Sequence, residues 1–169
     1  MNDNFSIRGE VKLVDRQGNV LIDDHNMVVK LGRTFIRDRV LGKSTSTISN
    51  LKFGYSQSLY EVTESDKNID GIVKNFPISL NDESDDIPSD ITSIDPDNEE
   101  SFIKYEVNNV GENDHPYIRY VAYIHDENLG LVNQLGLFTS DDNLFSKLVF
   151  EDVAVTRDRD YLLTYTLYF

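Results

Sequence analysis

The sequence predicts a mainly β protein: an antiparallel β-sandwich or partly closed barrel with one α-helix packed against it. Three observations lead there. From Leu131 onward the chain forms three apolar and aromatic runs, 131–138, 143–150 and 161–169, divided by polar turn residues. In the last run Tyr161, Leu163, Tyr165, Leu167 and Phe169 share one face by the two-residue period of a strand. A chain that stops inside such a run is expected to have it paired, because termini are otherwise poorly ordered. Upstream, short alternating runs recur between turn signals, as in all-β sandwiches and barrels, and a single segment has helical spacing.

The elements follow in order. In the first run Phe5, Ile7, Val11 and Leu13 lie on one face and Ser6, Arg8, Glu10 and Lys12 on the other. Residues 15–19 (Asp-Arg-Gln-Gly-Asn) are turn chemistry, and 20–23 return as the second strand of a hairpin. Asp24-His25-Asn26 then punctuates, with Asn26 as the N-cap of a helix running from 27 or 28 to 41. Val28, Leu31, Phe35, Arg39 and Val40 recur at roughly helical spacing, and Gly42 fits the residue just past the end. Gly32 inside the helix costs about 1 kcal/mol of propensity. The helix is expected to lie as a lid on one side of the sheet.

Residues 44–50 form a Ser/Thr loop. Leu51, Phe53 and Tyr55 share a face of a short strand, with Gly54 marking a bulge or a close backbone approach. The apolar residues of 68–80 end as a strand interrupted at Pro77. Residues 81–100 differ from all others. They carry nine acids (Asp82, Glu83, Asp85, Asp86, Asp90, Asp95, Asp97, Glu99, Glu100), two prolines and no Lys or Arg. Such a segment reads as a solvated loop, too polar to bury. Ile103, Tyr105 and Val107 resume the alternation, and 111–116 make a loop. Ile118, Tyr120, Ala122 and Ile124 then oppose Arg119, Val121 and Tyr123, with turns at 126–130 and 141–143. The count is eight or nine strands and one helix. Neither a repeat nor a linker divides the chain, which reads as a single β-rich domain over 1–169 with an acidic loop or insertion at about 81–100.

Composition narrows the function. Cysteine is absent, so neither disulfides nor thiolate metal sites staple the fold. The start, Met-Asn-Asp-Asn-Phe-Ser, lacks signal-peptide chemistry, and no apolar run approaches the ~18 residues of a membrane span. The expectation is a soluble chain made in the cytoplasm, with no membrane partner. Its net charge is −14, from 30 acids against 16 Lys and Arg, a field that repels phosphate backbones and argues against nucleic acid. His25, His115 and His125 stand at no metal-ligand spacing. Asp23-Asp24-His25 offers cation-binding groups, though a strand-end turn needs polar residues there anyway. Residues 95–100 resemble a calcium loop in their carboxylates but lack its sixth-position glycine. No phosphate loop, nucleophile elbow or Ser-His-Asp pattern is present. The expectation is a non-enzyme without cofactor or metal.

Taken together, several segments resemble a group of tailed-bacteriophage virion proteins. Residues 9–21, His25-Asn26-Met27-Val28-Val29 and Gly32-Arg33-Thr34-Phe35-Ile36 are similar to the opening of such proteins, where a hairpin leads through an Asn-x-Val step into a helix. Leu51-Lys52-Phe53-Gly54 looks like their x-Phe-Gly-x-Gly strand, although Tyr55-Ser56 stand where the second glycine often sits. Leu135-Gly136-Leu137-Phe138 with Asn143-Leu144-Phe145-Ser146-Lys147 resembles their Glu-x-Gly-Leu-Phe … Leu-Phe-Ala-Arg ending, with Gln134-Leu135 replacing the acidic step. The resemblance covers about half the chain and leaves the acidic middle unmatched.

It implies a structural subunit of a virion, in the tail, baseplate or neck, with other virion proteins and copies of itself as partners. The candidate assembly residues are Arg33, Arg37 and Arg39 on the helix and Tyr165 and Phe169 on the terminal strand. For the arginines a solvated helix face is the plain alternative to docking on an acidic neighbour. Two further readings stand beside this one. One is a capsid decoration protein. The other is a carbohydrate- or receptor-binding module whose binding face would draw on Tyr117, Tyr120, Tyr123, Tyr165 and Tyr168.

Overall fold

The computed structural model describes residues 7–58, 60–108 and 116–169. Phe5 and Ser6 of the first run, and 111–115 of the expected loop with His115, lie outside them. The first hairpin is β1 (Arg8–Asp15) and β2 (Val20–Val28), followed by α1 (Lys30–Val40). Next come β3 (Ile48–Gly54) and β4 (Ile72–Pro77), then β5 (Phe102–Asn108), β6 (Tyr117–Ile124), β7 (Gly130–Thr139), β8 (Leu144–Val155) and β9 (Tyr161–Tyr168). Among the described residues these nine strands pair antiparallel in one sheet of order β4-β3-β7-β8-β2-β1-β9-β6-β5. The edge strands β4 and β5 touch, so the sheet curls into a nearly closed barrel with the one helix against it. The expected fold class is the one that forms, and the terminal run is paired on both sides, by β1 and β6.

One apolar cluster fills the barrel and takes residues from all nine strands, among them Leu13, Ile22, Phe53, Phe76, Leu137 and Leu163. Full burial of each such side chain contributes roughly 1.5–3 kcal/mol. The inward faces of β6 and β9 are those the alternation selects, with Tyr120, Ala122 and Ile124 beside Tyr161, Leu163, Tyr165 and Leu167. β2 joins the two halves of the sheet. Its first part pairs with β1, whereas Met27 and Val28 pair with Lys147 and Ser146 of β8.

The helix departs from expectation at its start. Asn26 is not an N-cap; it lies in β2 opposite Gly9, and its side chain crosses that glycine to donate a hydrogen bond to the Tyr165 hydroxyl. A Cβ at position 9 would collide with the amide, so glycine there is a packing requirement. The N-cap is Val29, which offers no side-chain bond. Free N–H groups at this end are met by other backbone: Val29 N donates to Phe145 O at 3.1 Å and Lys30 N to Glu64 O at 2.8 Å. The far end matches expectation. Gly42 has a φ of +67°, donates to Arg39 O, and is followed by Lys43 donating to Asp38 O, the Schellman pattern.

Two long connections cover the outside of the barrel. Residues 56–58 and 60–70 cross β7 and β8 beside the helix: Ile69 buries against Val29, Phe138 and Leu144, and Ser56 exchanges hydrogen bonds with Asn133. They also enclose Lys147, which is 0% exposed. Its ammonium donates to Tyr60 Oη at 3.0 Å and Asn68 O at 3.1 Å and lies 3.2 Å from Asp66. The acidic segment is the second cover, and it corrects the expectation of a fully solvated loop. Ile91 and Ile94 are 3% and 6% exposed, and with half-buried Ile87 they pack on Val121, Tyr123 and Leu162.

Candidate functional site

The outer face of β2-β1-β9-β6-β5 reads as a grid, because cross-strand partners point the same way. Its first row, Val14, Leu162, Tyr123 and Phe102, is apolar, and the acidic segment lies on it. The next row is Asp23, Lys12, Thr164, Val121 and Lys104. After it come His25, Glu10, Thr166, Arg119 and Glu106, and then Arg8, Tyr168, Tyr117 and Asn108. The face thus changes along the strands from apolar and covered to polar, aromatic and open. Where the cover stops, Ile87, Pro88 and Ser89 wall a cleft of about 530 Å³ floored by the open rows.

The cover is held by a cluster at one end of the apolar row. Arg16 reaches from the β1–β2 turn, donating to the carbonyls of Ile91 and Ile94 at 3.1 Å each and to Tyr123 Oη at 3.1 Å. Its Nε bonds Asp160 at 3.0 Å. Asp160 also accepts from the Tyr123 hydroxyl at 3.0 Å and lies 2.7 Å from His125 Nδ1, whose ring stacks on Tyr123. Burial alone would raise the Asp160 pKa, but hydrogen bonds from His125, Tyr123 and Arg16 outweigh it and hold the carboxyl below the usual range.

The floor is partly pre-bonded. Arg119 pairs with Glu106 at 2.9 Å, donates to Thr166 Oγ1 at 3.3 Å and lies over the Tyr117 ring, 4.7 Å from its centroid. The Tyr168 hydroxyl donates to Glu10 at 3.2 Å, and its ring meets Tyr117 edge-on at 6.1 Å. Burial and the nearby Glu10 carboxylate raise the Tyr168 pKa, so the phenol stays a donor. Asp23, Lys12 and Thr164, side by side in the neighbouring row, differ: none has a side-chain partner among the described residues. The arrangement presents an unengaged carboxylate, ammonium and hydroxyl beside fixed phenols and a guanidinium.

The residues expected at an assembly surface fall in different places. Arg33 pairs with Glu64 at 2.9 Å and Arg37 with its neighbour Asp38 at 2.7 Å, both on exposed helix surface four residues apart. Arg39, two positions on, turns elsewhere and donates to Ser44 O. Phe169 is half-buried against the core, its N–H bonded to Pro116 O. Tyr165 is corrected: it is 0% exposed inside the barrel, where the inward register of β9 places it, and it has no surface to offer a partner. Of the tyrosines weighed for a glycan face, Tyr120 is likewise interior and Tyr123 lies beneath the acidic segment, which leaves Tyr117 and Tyr168 on the open rows.

Asp23 and Asp24 alternate faces of β2 and so do not converge, and Asp95 uses its carboxylate to accept from Asp97 N and Asn98 Nδ2 in a turn. Among the described residues no three His, Asp or Glu side chains stand where a metal ion would need them. Sequence reasoning missed Arg16 and Asp160, whose pairing spans 144 positions and leaves no local signal. Lys147 did leave one, a lone cation within an apolar run. No family model, curated protein or solved structure matches this chain.

Proposed function

We propose that this chain is a non-enzymatic structural subunit of a tailed-bacteriophage virion, placed in the tail, baseplate or neck. It acts by symmetric association with copies of itself and with other virion proteins. One observation carries the reading. The segments that resemble virion proteins, scattered over both ends of the sequence, fold into five adjacent strands, β3-β7-β8-β2-β1, with α1 packed on β8. Within that body the motif residues interlock. Gly32 sits against the Phe145 carbonyl, Phe35 meets Phe145 edge-on at 5.8 Å, and Leu51 and Phe53 pair with Leu137 and Leu135. The other four strands, β4, β5, β6 and β9, carry none of these segments. Motifs that pack on one another as a unit favour a shared scaffold over chance likeness.

Docking would use exposed Arg33, Arg37 and Arg39 together with Phe169, and the net charge of −14 disfavours nucleic acid as a partner. Immunogold electron microscopy with antibody against this chain, on purified particles from the producing culture, tests the reading. Label at the tail end or neck is expected. Label over the head would make it a capsid decoration protein, and particles free of label would overturn a virion role.

A further inference from the structure

The geometry points to a second role: the open rows of the outer face bind a neutral oligosaccharide. The inference does not rest on the virion reading and either can fail alone. The cleft of about 530 Å³ lies within the usual range for ligand sites, roughly 300–1,000 Å³. Its chemistry selects the ligand. Lys12 and Asp23 are direct cross-strand neighbours of opposite charge, yet among the described residues they form no ion pair, and the Thr164 hydroxyl next to Lys12 is also unengaged there.

An ammonium only donates, a carboxylate only accepts, and a ligand hydroxyl does both, so two adjacent sugar hydroxyls satisfy both groups at once. A ligand of single charge does worse. An anion meets Asp23 and Glu10 and a cation meets Lys12 and Arg119, so the mixed lining disfavours both. Beside the free groups, Tyr168 is fixed by Glu10 and Tyr117 by Arg119, giving aromatic edges and faces to the C–H side of a pyranose at little ordering cost. Pro88 and Ser89 close one side of the cleft.

The test is a printed array of neutral oligosaccharides built from glucose, galactose, mannose and N-acetylhexosamines, probed with the whole labelled chain. Hits are followed by saturation-transfer NMR at 0.15 and 0.5 M NaCl. Binding to one or more neutral glycans is expected, changing less than about twofold between the two salt concentrations, because no net charge is neutralised. Lys12→Ala, Asp23→Ala and Tyr168→Ala should each weaken it tenfold or more, while Lys43→Ala on the far side of the helix turn leaves it unchanged. The Lys12 and Asp23 side chains carry no bond among the described residues, so their variants keep the wild-type melting temperature and report on the ligand alone. A silent array, hits indifferent to these substitutions, or binding abolished by salt would each overturn the proposal.

Discussion

Gly32 and Phe145 define how the helix meets the barrel: a Cβ at position 32 would stand 2.2 Å from the Phe145 carbonyl oxygen. The glycine that weakens α1 as an isolated helix is what allows its backbone to reach β8. Gly32→Ala should therefore lower stability by about 1–3 kcal/mol, although alanine gains about 1 kcal/mol in helix propensity. Urea unfolding decides the sign. A stabilised variant would mean that the helix does not pack this closely.

Lys147→Met should cost roughly 3–5 kcal/mol, because it leaves the Asp66 carboxylate, largely buried on the inner side of the first cover, without its cation. Adding Asp66→Asn removes the stranded charge and should recover most of the loss. A double-mutant cycle by chemical denaturation reads the coupling, and purely additive losses would contradict the burial described.

Arg16→Met removes the donors that tie the Ile91 and Ile94 carbonyls to Asp160. A loss of about 1.5–3 kcal/mol is expected, as for hydrogen bonds made by a charged group. The acidic segment should then open before the barrel does. Limited digestion with an endoprotease that cuts ahead of aspartate should cleave the variant first within 85–97, at least tenfold faster than the wild type. Equal rates would show that the apolar contacts alone hold the cover.

Acid should weaken the fold in a defined window. Asp15, Asp66 and Asp160 are all held below the usual carboxylate range: burial opposes this in each, and donors from Asn19 and Gln17, from Thr63 and Lys147, and from His125, Tyr123 and Arg16 respectively prevail. A carboxylate whose folded pKa lies below its unfolded value of about 3.9 stabilises fully above that value and loses its contribution as pH falls through the folded one. Urea midpoints should hold between pH 7 and 5 as far as these groups are concerned and fall below about pH 4. Asp160→Asn should flatten that fall, and an unchanged midpoint at pH 3 in the wild type would contradict the argument.

Much of this was legible in the residues. Alternation identified the inward faces of β1, β6 and β9, and Gly42 marked the helix end, because each depends only on near neighbours. Asn26 misled because β2 continues through four polar residues. The sheet opens between β2 and β8 at that point, so water reaches both faces of the strand and the apolar alternation lapses. The acidic segment misled in the opposite sense. Ile87, Ile91 and Ile94 among nine acids follow neither the helix nor the strand period, and only a partner face brought from β1, β9 and β6 gives them somewhere to bury. The open cleft has no local signal either, since its three free side chains come from β2, β1 and β9.

The shared strand β2 has a mechanical meaning. Its ladder to β1 runs from Val20 to Asn26, but to β8 it holds only the Met27 and Val28 pairs, with the Val29 bond just beyond. The barrel therefore has a seam. Once the β4–β5 contact, which has no ladder, has opened, the paired sheet would part there first, like cloth along a short run of stitches, leaving two intact panels. Hydrogen exchange should mark the same line, with the amides of 27–29 exchanging ahead of those in the β1–β9 and β7–β8 ladders.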